Sequence, residues 1–163
     1  MLALRYVYVL ALVIWLGGII VLGALVAPTT FEVLQANNPQ GGIAIAGDVF
    51  GAIITRFHYV SYAAGGVLLL TLAVMALLGP RPAGFAVRMA IIAIMLGLVL
   101  YSGFVVLREL DSIQQAAGGH VSNLPANDAR RARFDDLHVL SERLMLGDMV
   151  LALLLLYWEA AEK

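Results

Sequence analysis

Four apolar segments dominate the sequence, and each is long enough to cross a membrane. They cover about residues 4–27, 57–78, 85–107 and 134–158. About 20 helical residues cross the roughly 30 Å hydrocarbon core, and helices or closed barrels are the only structures that span it. The segments therefore predict an all-α fold, an integral membrane four-helix bundle that forms one domain over residues 1–163.

The composition supports a membrane protein and excludes several kinds of site. Of the 163 residues, 62% are apolar and 13% are charged, whereas soluble domains are roughly 45–50% apolar and about 25% charged. The formal net charge of −1 argues against nucleic acid as a partner, and leaves the lipid bilayer as the expected one. The chain has no cysteine, which excludes disulfides, iron–sulfur clusters and covalently bound c-type haem.

The order of the segments predicts the topology. Four spans place both termini on one side of the membrane and the 28–55 and 109–133 connections on the other. The first apolar run exceeds the core of a signal peptide, so we interpret it as a retained span. Arg5 and the basic loop at 80–88 favour cytoplasmic termini in the cell (inner) membrane. Three arginines in the opposite loop argue against this orientation: Arg130, Arg131 and Arg133.

Polar and special residues predict where the helices begin and end. Pro28 is expected to end the first span, and the polar stretch from Gln35 to Gly42 is expected to be a turn. Residues 43–55 then predict a helical approach to the second span. Asn127 is the predicted N-cap of a fourth helix that reaches Glu159 or beyond.

Two histidines begin two of the predicted spans. His58 starts the second span and His138 the fourth, and counting about 20 residues from the far end of each places both near one interface. Ionisable groups at such a depth are costly and usually face protein, a cofactor or a transport path. Two histidines at matched depth on different helices can coordinate a metal ion, or haem iron from opposite faces.

Helical periodicity adds candidate cofactor-binding residues to this pair. His58 aligns with Tyr62 and Gly65, and a glycine about 10 Å deeper than the histidine would leave room for a flat macrocycle. Ser141 lies on the stripe next to His138. Arginines near the interface would neutralise haem propionates. The predicted cofactor-binding set is His58, His138, Arg56, Tyr62, Gly65, Arg108 and Ser141, with His58 and His138 as the metal ligands.

The same residues also have simpler interpretations. A membrane histidine often only hydrogen-bonds a neighbouring helix. Asp148, near the middle of the predicted fourth span, would pair with Arg143 or a backbone donor, or take part in proton transfer. Trp15, followed by Gly17 and Gly18, indicates close helix packing, because small residues admit a bulky neighbour.

Several short motifs are spread over nearly the whole chain. They are Trp15-Leu-Gly-Gly18, Pro28, Phe31, Phe50, Phe57-His58-x-x-Ser61 and Phe134-x-x-x-His138-x-x-Ser141. In combination they resemble the transmembrane protein 205-like family, which comprises small four-span membrane proteins of poorly defined function. The resemblance implies that His58 and His138 share a site and supplies no catalytic mechanism. Asp148 departs from the family pattern.

These observations favour one function and leave two alternatives. We expect a bundle that binds haem b, or else a metal ion, between His58 and His138 and acts in electron transfer or sensing, with an unspecified redox partner. The first alternative is a non-redox oligomer, such as a homodimer, that forms a small-molecule or ion pathway or an interaction scaffold. The second is a porphyrin-modifying oxidoreductase, for which no residue specifies a substrate. The polar network of the non-redox alternative would consist of Arg56, Glu142, Arg143 and Asp148.

Overall fold

The computed structural model of the chain describes residues 2–79, 83–119, 121, 124–125 and 127–161. Four helices form the fold: α1 Leu2–Asn37, α2 Gly42–Leu78 and α3 Phe85–Ala116, and α4 Ala129–Ala161. No strand occurs among the described residues. The all-α prediction is therefore confirmed.

Three of these helices, α1, α2 and α3, are long and apolar enough to cross a membrane. With 36, 37 and 32 residues they extend about 48–56 Å, well beyond a hydrocarbon core of roughly 30 Å. Their outward faces expose large apolar side chains, among them Leu10, Ile14, Leu70 and Ile94. A water-soluble protein rarely exposes so much apolar surface, so the structure indicates a membrane protein.

The helices form an up-and-down ring. Each helix packs against its neighbour in sequence, and α4 closes the ring against α1. Arg5 near the start of α1 forms an ion pair with Glu159 near the end of α4, so these helix ends lie at the same end of the bundle. We call this the termini end, and we call the opposite end, with the 38–41 and 117–128 connections, the loop end.

At the loop end, the helices extend further than the sequence predicted. α1 does not end at Pro28 but continues to Asn37. A π-helical turn at Leu22–Val26 comes first, in which the Ala27 N–H donates to the Leu22 carbonyl oxygen. Pro28 thereby falls at the start of the next α-helical segment, where its missing N–H costs little.

The other helix ends also shift the predicted connections. Residues 43–55 belong to α2, as predicted, whereas α3 runs on to Ala116 through part of the expected 109–133 loop. Asp128, not Asn127, is the N-cap of α4, because its Oδ1 accepts a 2.8 Å hydrogen bond from the Arg130 N–H. Residues 80–82 of the basic loop lie outside the described residues.

Two apolar layers make up the core. The larger layer, toward the termini end, is formed by all four helices and includes Trp15, Leu68, Met95 and Leu155. The smaller layer, at the loop end, is formed by α3 and α4. Its buried residues are Val106, Leu110 and Leu137.

Close packing of α1 on α2 depends on Gly18. A Cβ atom at this position would lie 2.2 Å from Cε2 of Phe57, so the phenyl ring occupies the space that glycine leaves free. A Cβ atom on Gly17 would meet no neighbour within 4 Å in the described part of the chain. The predicted packing role of this motif is therefore confirmed, and Gly18 is the residue that fulfils it.

Candidate functional site

A small cavity lies where the two apolar layers meet, and all four helices line it. Its volume is about 50 Å³, enough for one or a few water-sized groups. We call it the inner cavity. Its polar lining residues are His58, Ser61, Ser102, Ser141 and Asp148. Such a concentration of polar groups inside an apolar bundle marks the inner cavity as the candidate site.

Asp148 is the buried acid of the inner cavity. Its side chain is 2% exposed, and its Oδ1 has no hydrogen-bond partner among the described residues. The Trp15 indole nitrogen lies close to this carboxyl group, but Trp15 Nε1 also lacks a partner at hydrogen-bond distance among the described residues. Arg143, which the sequence suggested as a partner, is exposed instead. A buried carboxylate without a counter-charge is costly, so Asp148 is suited to carry a proton.

His58 is held in one orientation by its own helix. Its Nδ1 lies 2.8 Å from the Ile54 carbonyl oxygen. Because a carbonyl oxygen only accepts hydrogen bonds, Nδ1 carries the proton and donates it. Nε2 of the neutral ring is then the nitrogen that accepts a proton or binds a ligand.

A larger cavity of about 220 Å³ lies beside His58 between α2 and α3, and we call it the outer cleft. Aromatic side chains form its walls. The rings of Tyr62 and Phe104 stack with centroids 5.9 Å apart, and Tyr59 meets Tyr62 edge-on at 6.2 Å. Arg108 lies toward the loop end, with Cζ 5.0 Å from the Phe104 centroid. Thr55, Gly103, Leu107 and Asp111 complete the lining.

His58 lines both the inner cavity and the outer cleft. The facing part of α3 is a π-helical turn at Ser102–Val106, and such turns often occur at functional sites. Its consecutive residues Ser102 and Gly103 line different cavities. A Cβ atom on Gly103 would lie 2.2 Å from Tyr62 Oη and 3.0 Å from His58 Cδ2. The glycine therefore lets both rings approach α3.

Some of the predicted site residues meet at these two cavities. His58 and Ser141 line the inner cavity, and His58, Tyr62 and Arg108 line the outer cleft. Arg56 is exposed and lines neither. Gly65 is buried, and a Cβ atom there would lie 2.4 Å from Leu96 Cδ2. The space beside Gly65 is therefore filled by a leucine side chain.

His138 lies outside both cavities. Its side chain is 56% exposed, and Nε2 is 3.5 Å from Glu142 Oε1 on the next helical turn. The inner cavity is much smaller than a haem, so these residues as arranged do not form a haem pocket. Within the described ranges, no three His, Asp or Glu side chains are grouped to hold a metal ion. Ligation of haem or metal by His58 and His138 stays a prediction without support from this geometry.

Sequence reasoning missed two cavity serines and the setting of Asp148. Ser61 follows His58 by three residues and therefore shares its helix face. Ser102 is one of few polar residues in the predicted third span. Small polar residues in an apolar span, counted together with Asp148, are the signal that identifies the inner cavity.

A second polar cluster joins three helices at the termini end. Arg88 is 1% exposed and forms an ion pair with Glu159, which also pairs with Arg5. The Arg88 guanidinium lies over the Tyr8 ring, with Cζ 5.0 Å from its centroid. The larger apolar layer separates this cluster from the inner cavity. Sequence reasoning treated Arg5 and Arg88 only as indicators of orientation.

Fold and site together define an all-helical membrane protein with a polar cavity inside its bundle. Residues 10–118, about two thirds of the chain, match the family model described as Domain of unknown function (DUF4149). The chain belongs to this family. Comparisons with curated proteins and with solved structures find no significant match. The resemblance to the transmembrane protein 205-like family stays a prediction.

Proposed function

We propose that α4 crosses the bilayer together with α1, α2 and α3, which makes this a four-span protein. After Arg143, residues 144–158 of α4 are apolar except for Asp148, Tyr157 and the glycine at 147. Asp148 is buried within the bundle rather than exposed to lipid, as expected for an ionisable group in a membrane helix. Arg5 and Arg88 at the termini end favour cytoplasmic termini in the cell (inner) membrane.

The proposed function is proton transfer from the loop end to a buried carboxyl group, as the proton-handling part of a small-molecule or ion pathway. Protons would enter through the outer cleft, pass His58 and reach Asp148 in the inner cavity. The observation that carries this proposal is that His58 lines both cavities. Its Nε2 would accept a proton from the cleft and release it toward the inner cavity, while Nδ1 stays bonded to Ile54.

Hydroxyl groups support the second half of this path. Ser61, Ser102 and Ser141 line the inner cavity with His58 and Asp148. Each hydroxyl both donates and accepts hydrogen bonds, so the serines are able to relay a proton from the imidazole to the carboxylate. Neutralising Asp148 by protonation would remove the cost of its burial.

The path is closed toward the termini end. Beyond Asp148, toward the termini end, fully buried apolar side chains fill the bundle. They include Leu68, Leu72, Met95 and Leu155. A path closed in this way loads and unloads a proton instead of leaking protons continuously, which is the behaviour expected of a proton-coupled carrier.

Hydrogen–deuterium exchange of the Asp148 carboxyl group tests this proposal. Infrared difference spectra of the protein in vesicles should show a protonated carboxyl band that Asp148→Asn removes. Replacing His58 by Leu should slow exchange of this band by about 100-fold, the lower range for a positioned acid–base group. His138→Leu is the matched control and should leave the rate unchanged. Equal exchange rates in the His58→Leu and unaltered proteins would overturn the proposal.

The haem hypothesis predicts a different result for the same two variants. Haem added to the purified protein should then give a Soret band that is lost in both His58→Leu and His138→Leu. A preparation that stays colourless after haem addition, with no stoichiometric metal, would leave the proton path as the better account of His58.

A further inference from the structure

We infer that the outer cleft binds a planar aromatic amphiphile with hydrogen-bonding ring oxygens, of the quinone or phenol class, which enters from the lipid. The inference rests on the proposed function in that the bound ring would exchange protons with His58. The proton path assigns no ligand to the outer cleft, and this inference names the class of that ligand.

The size and walls of the outer cleft favour a single flat ring. Its volume of about 220 Å³ is below the roughly 300–1,000 Å³ of sites for drug-sized ligands. The Tyr62 and Phe104 rings are nearly parallel, with an interplanar angle of 14°, and Tyr59 is perpendicular to Tyr62 at 89°. Because Tyr62 and Phe104 stack on each other, a ligand ring would pack on the outer face or the edge of this aromatic group, not between the two rings.

The mouth of the outer cleft has exposed aromatic side chains, which would face lipid, and exposed charged side chains at the loop end, which would face water. Tyr59 is 67% exposed and Phe104 is 50% exposed, and both lie on helices that are apolar enough to cross a membrane. The cleft lies toward the loop end, because Arg108 and Asp111 line it. A ligand with its ring in the cleft would therefore extend an apolar tail sideways into the lipid.

Polar groups inside the cleft match oxygen atoms on such a ring. The Tyr62 hydroxyl group and the Arg108 guanidinium are donors for a ring carbonyl oxygen. The His58 Nε2 is an acceptor for a phenolic O–H, because Nδ1 already donates to Ile54. A plain acyl chain would use none of these groups.

Photolabelling of the protein in nanodiscs tests the inference. The probe is an azido-1,4-benzoquinone with a decyl tail, and labelled peptides are identified by mass spectrometry. We expect labelling within residues 55–62 and 103–111, and competition by unmodified decylbenzoquinone but not by 1-decanol, which has the tail without the ring. Labelling spread over all lipid-facing segments, or equal competition by 1-decanol, would overturn the inference.

Two glycines of α3 supply a matched pair of variants. In Gly103→Ala the new methyl group would lie 2.2 Å from Tyr62 Oη and 3.0 Å from His58 Cδ2, which forces the cleft-lining rings to move. We expect specific labelling to fall at least about tenfold, equivalent to 1.4 kcal/mol of binding free energy. Gly97→Ala meets no neighbour within 4 Å among the described residues and should label normally. Labelling that stays normal in Gly103→Ala and in Phe104→Leu would count against the cleft as the binding site.

The photolabelling experiment and the carboxyl-exchange experiment test the two proposals independently. Specific labelling with exchange that does not depend on His58 would retain the ligand and reject the proton path. Exchange that depends on His58 without specific labelling would retain the proton path and reject the aromatic ligand.

Discussion

The indole nitrogen of Trp15 on α1 lies close to the carboxyl group of Asp148 on α4, where these two helices pack together. Both side chains are almost completely buried, at 0% and 2% exposure. Trp15 belongs to the glycine-containing motif of α1, so this motif lies beside the buried acid of the inner cavity. A donor facing a buried carboxyl group should produce a measurable coupling free energy.

A double-mutant cycle on these two residues measures that coupling. Trp15→Phe removes the N–H and part of a fully buried ring, and should lower the free energy of unfolding by about 1–3 kcal/mol. In an Asp148→Asn background the loss should differ by about 0.5–3 kcal/mol, the range for interacting neighbours. Unfolding in mixed micelles gives both values. Trp158→Phe is the control and should show no coupling to Asp148→Asn. Zero coupling between Trp15→Phe and Asp148→Asn would show that the two side chains do not interact.

The contact between Gly18 and Phe57 gives a second prediction. Gly18→Ala places a methyl group 2.2 Å from Phe57 Cε2 and should lower the free energy of unfolding by about 1–3 kcal/mol. Gly17→Ala has open space and should be neutral or stabilising by up to about 1 kcal/mol through helix propensity. Adding Phe57→Leu to Gly18→Ala should restore part of the loss. Equal effects of the two single substitutions would contradict the packing role.

Hydropathy predicted the helices, and Gly17 and Gly18 predicted close packing of α1, because both depend on local sequence. The sequence did not identify α2 as the partner helix. The continuation of α1 past Pro28 was not predictable in the same way. It depends on the π-helical turn at Leu22–Val26, which places the proline where no N–H is needed. A rule that considers the proline alone does not predict the π-helical turn before it.

The sequence analysis predicted the depth of the candidate site but not the rotation of α4. Counting residues places His58 and His138 along the bundle axis, yet the rotation of α4 decides which side chains face inward. Leu137 is 2% exposed, so the adjacent His138, about 100° further around the helix, points outward. Ser141 lies at about 300° from His138 and faces the inner cavity. Phe134, Leu137, Leu140 and Leu144 pack in the smaller apolar layer and fall on one face of α4, so this stripe was a signal for the rotation that the sequence prediction did not use.

Asp128 provides a pH-dependent prediction at the loop end, outside the membrane-spanning segments. Its side chain accepts hydrogen bonds from the Arg130 side chain, with Nη2 2.7 Å from Oδ2, and from the Arg130 N–H. These bonds lower the pKa of Asp128 from 3.8 to about 2. Because the folded-state pKa is the lower one, the stabilisation is complete above pH 3.8 and is lost as the pH falls through about 2.

Carbon-13 NMR titration of the Asp128 carboxyl group checks this shift. The midpoint should lie near pH 2 and move upward in Arg130→Gln, although the backbone hydrogen bond keeps it below the ordinary value. Arg131→Gln removes a neighbouring charge that does not bond Asp128 and should have a much smaller effect. A midpoint of 3.8 in the unaltered protein would rule out the interaction.

The buried ion pair of Arg88 and Glu159 gives the largest predicted loss of stability. Glu159→Gln keeps the side-chain shape but removes the negative charge that faces two arginines. It should lower the free energy of unfolding by about 3–5 kcal/mol, because a buried guanidinium loses its counter-charge. Glu109→Gln, at the exposed pair with Arg133, is the matched control and should have no measurable effect.

A second substitution shows whether the uncompensated charge causes that loss. Arg88→Met in the Glu159→Gln background removes the buried cation and should recover part of the stability. A further loss in the double variant would instead indicate that Arg88 stabilises the bundle mainly by packing on Tyr8. Because the larger apolar layer separates Glu159 from the inner cavity, hydrogen–deuterium exchange of the Asp148 carboxyl group should stay unchanged in Glu159→Gln. Faster exchange would show that the termini end, too, admits protons to Asp148.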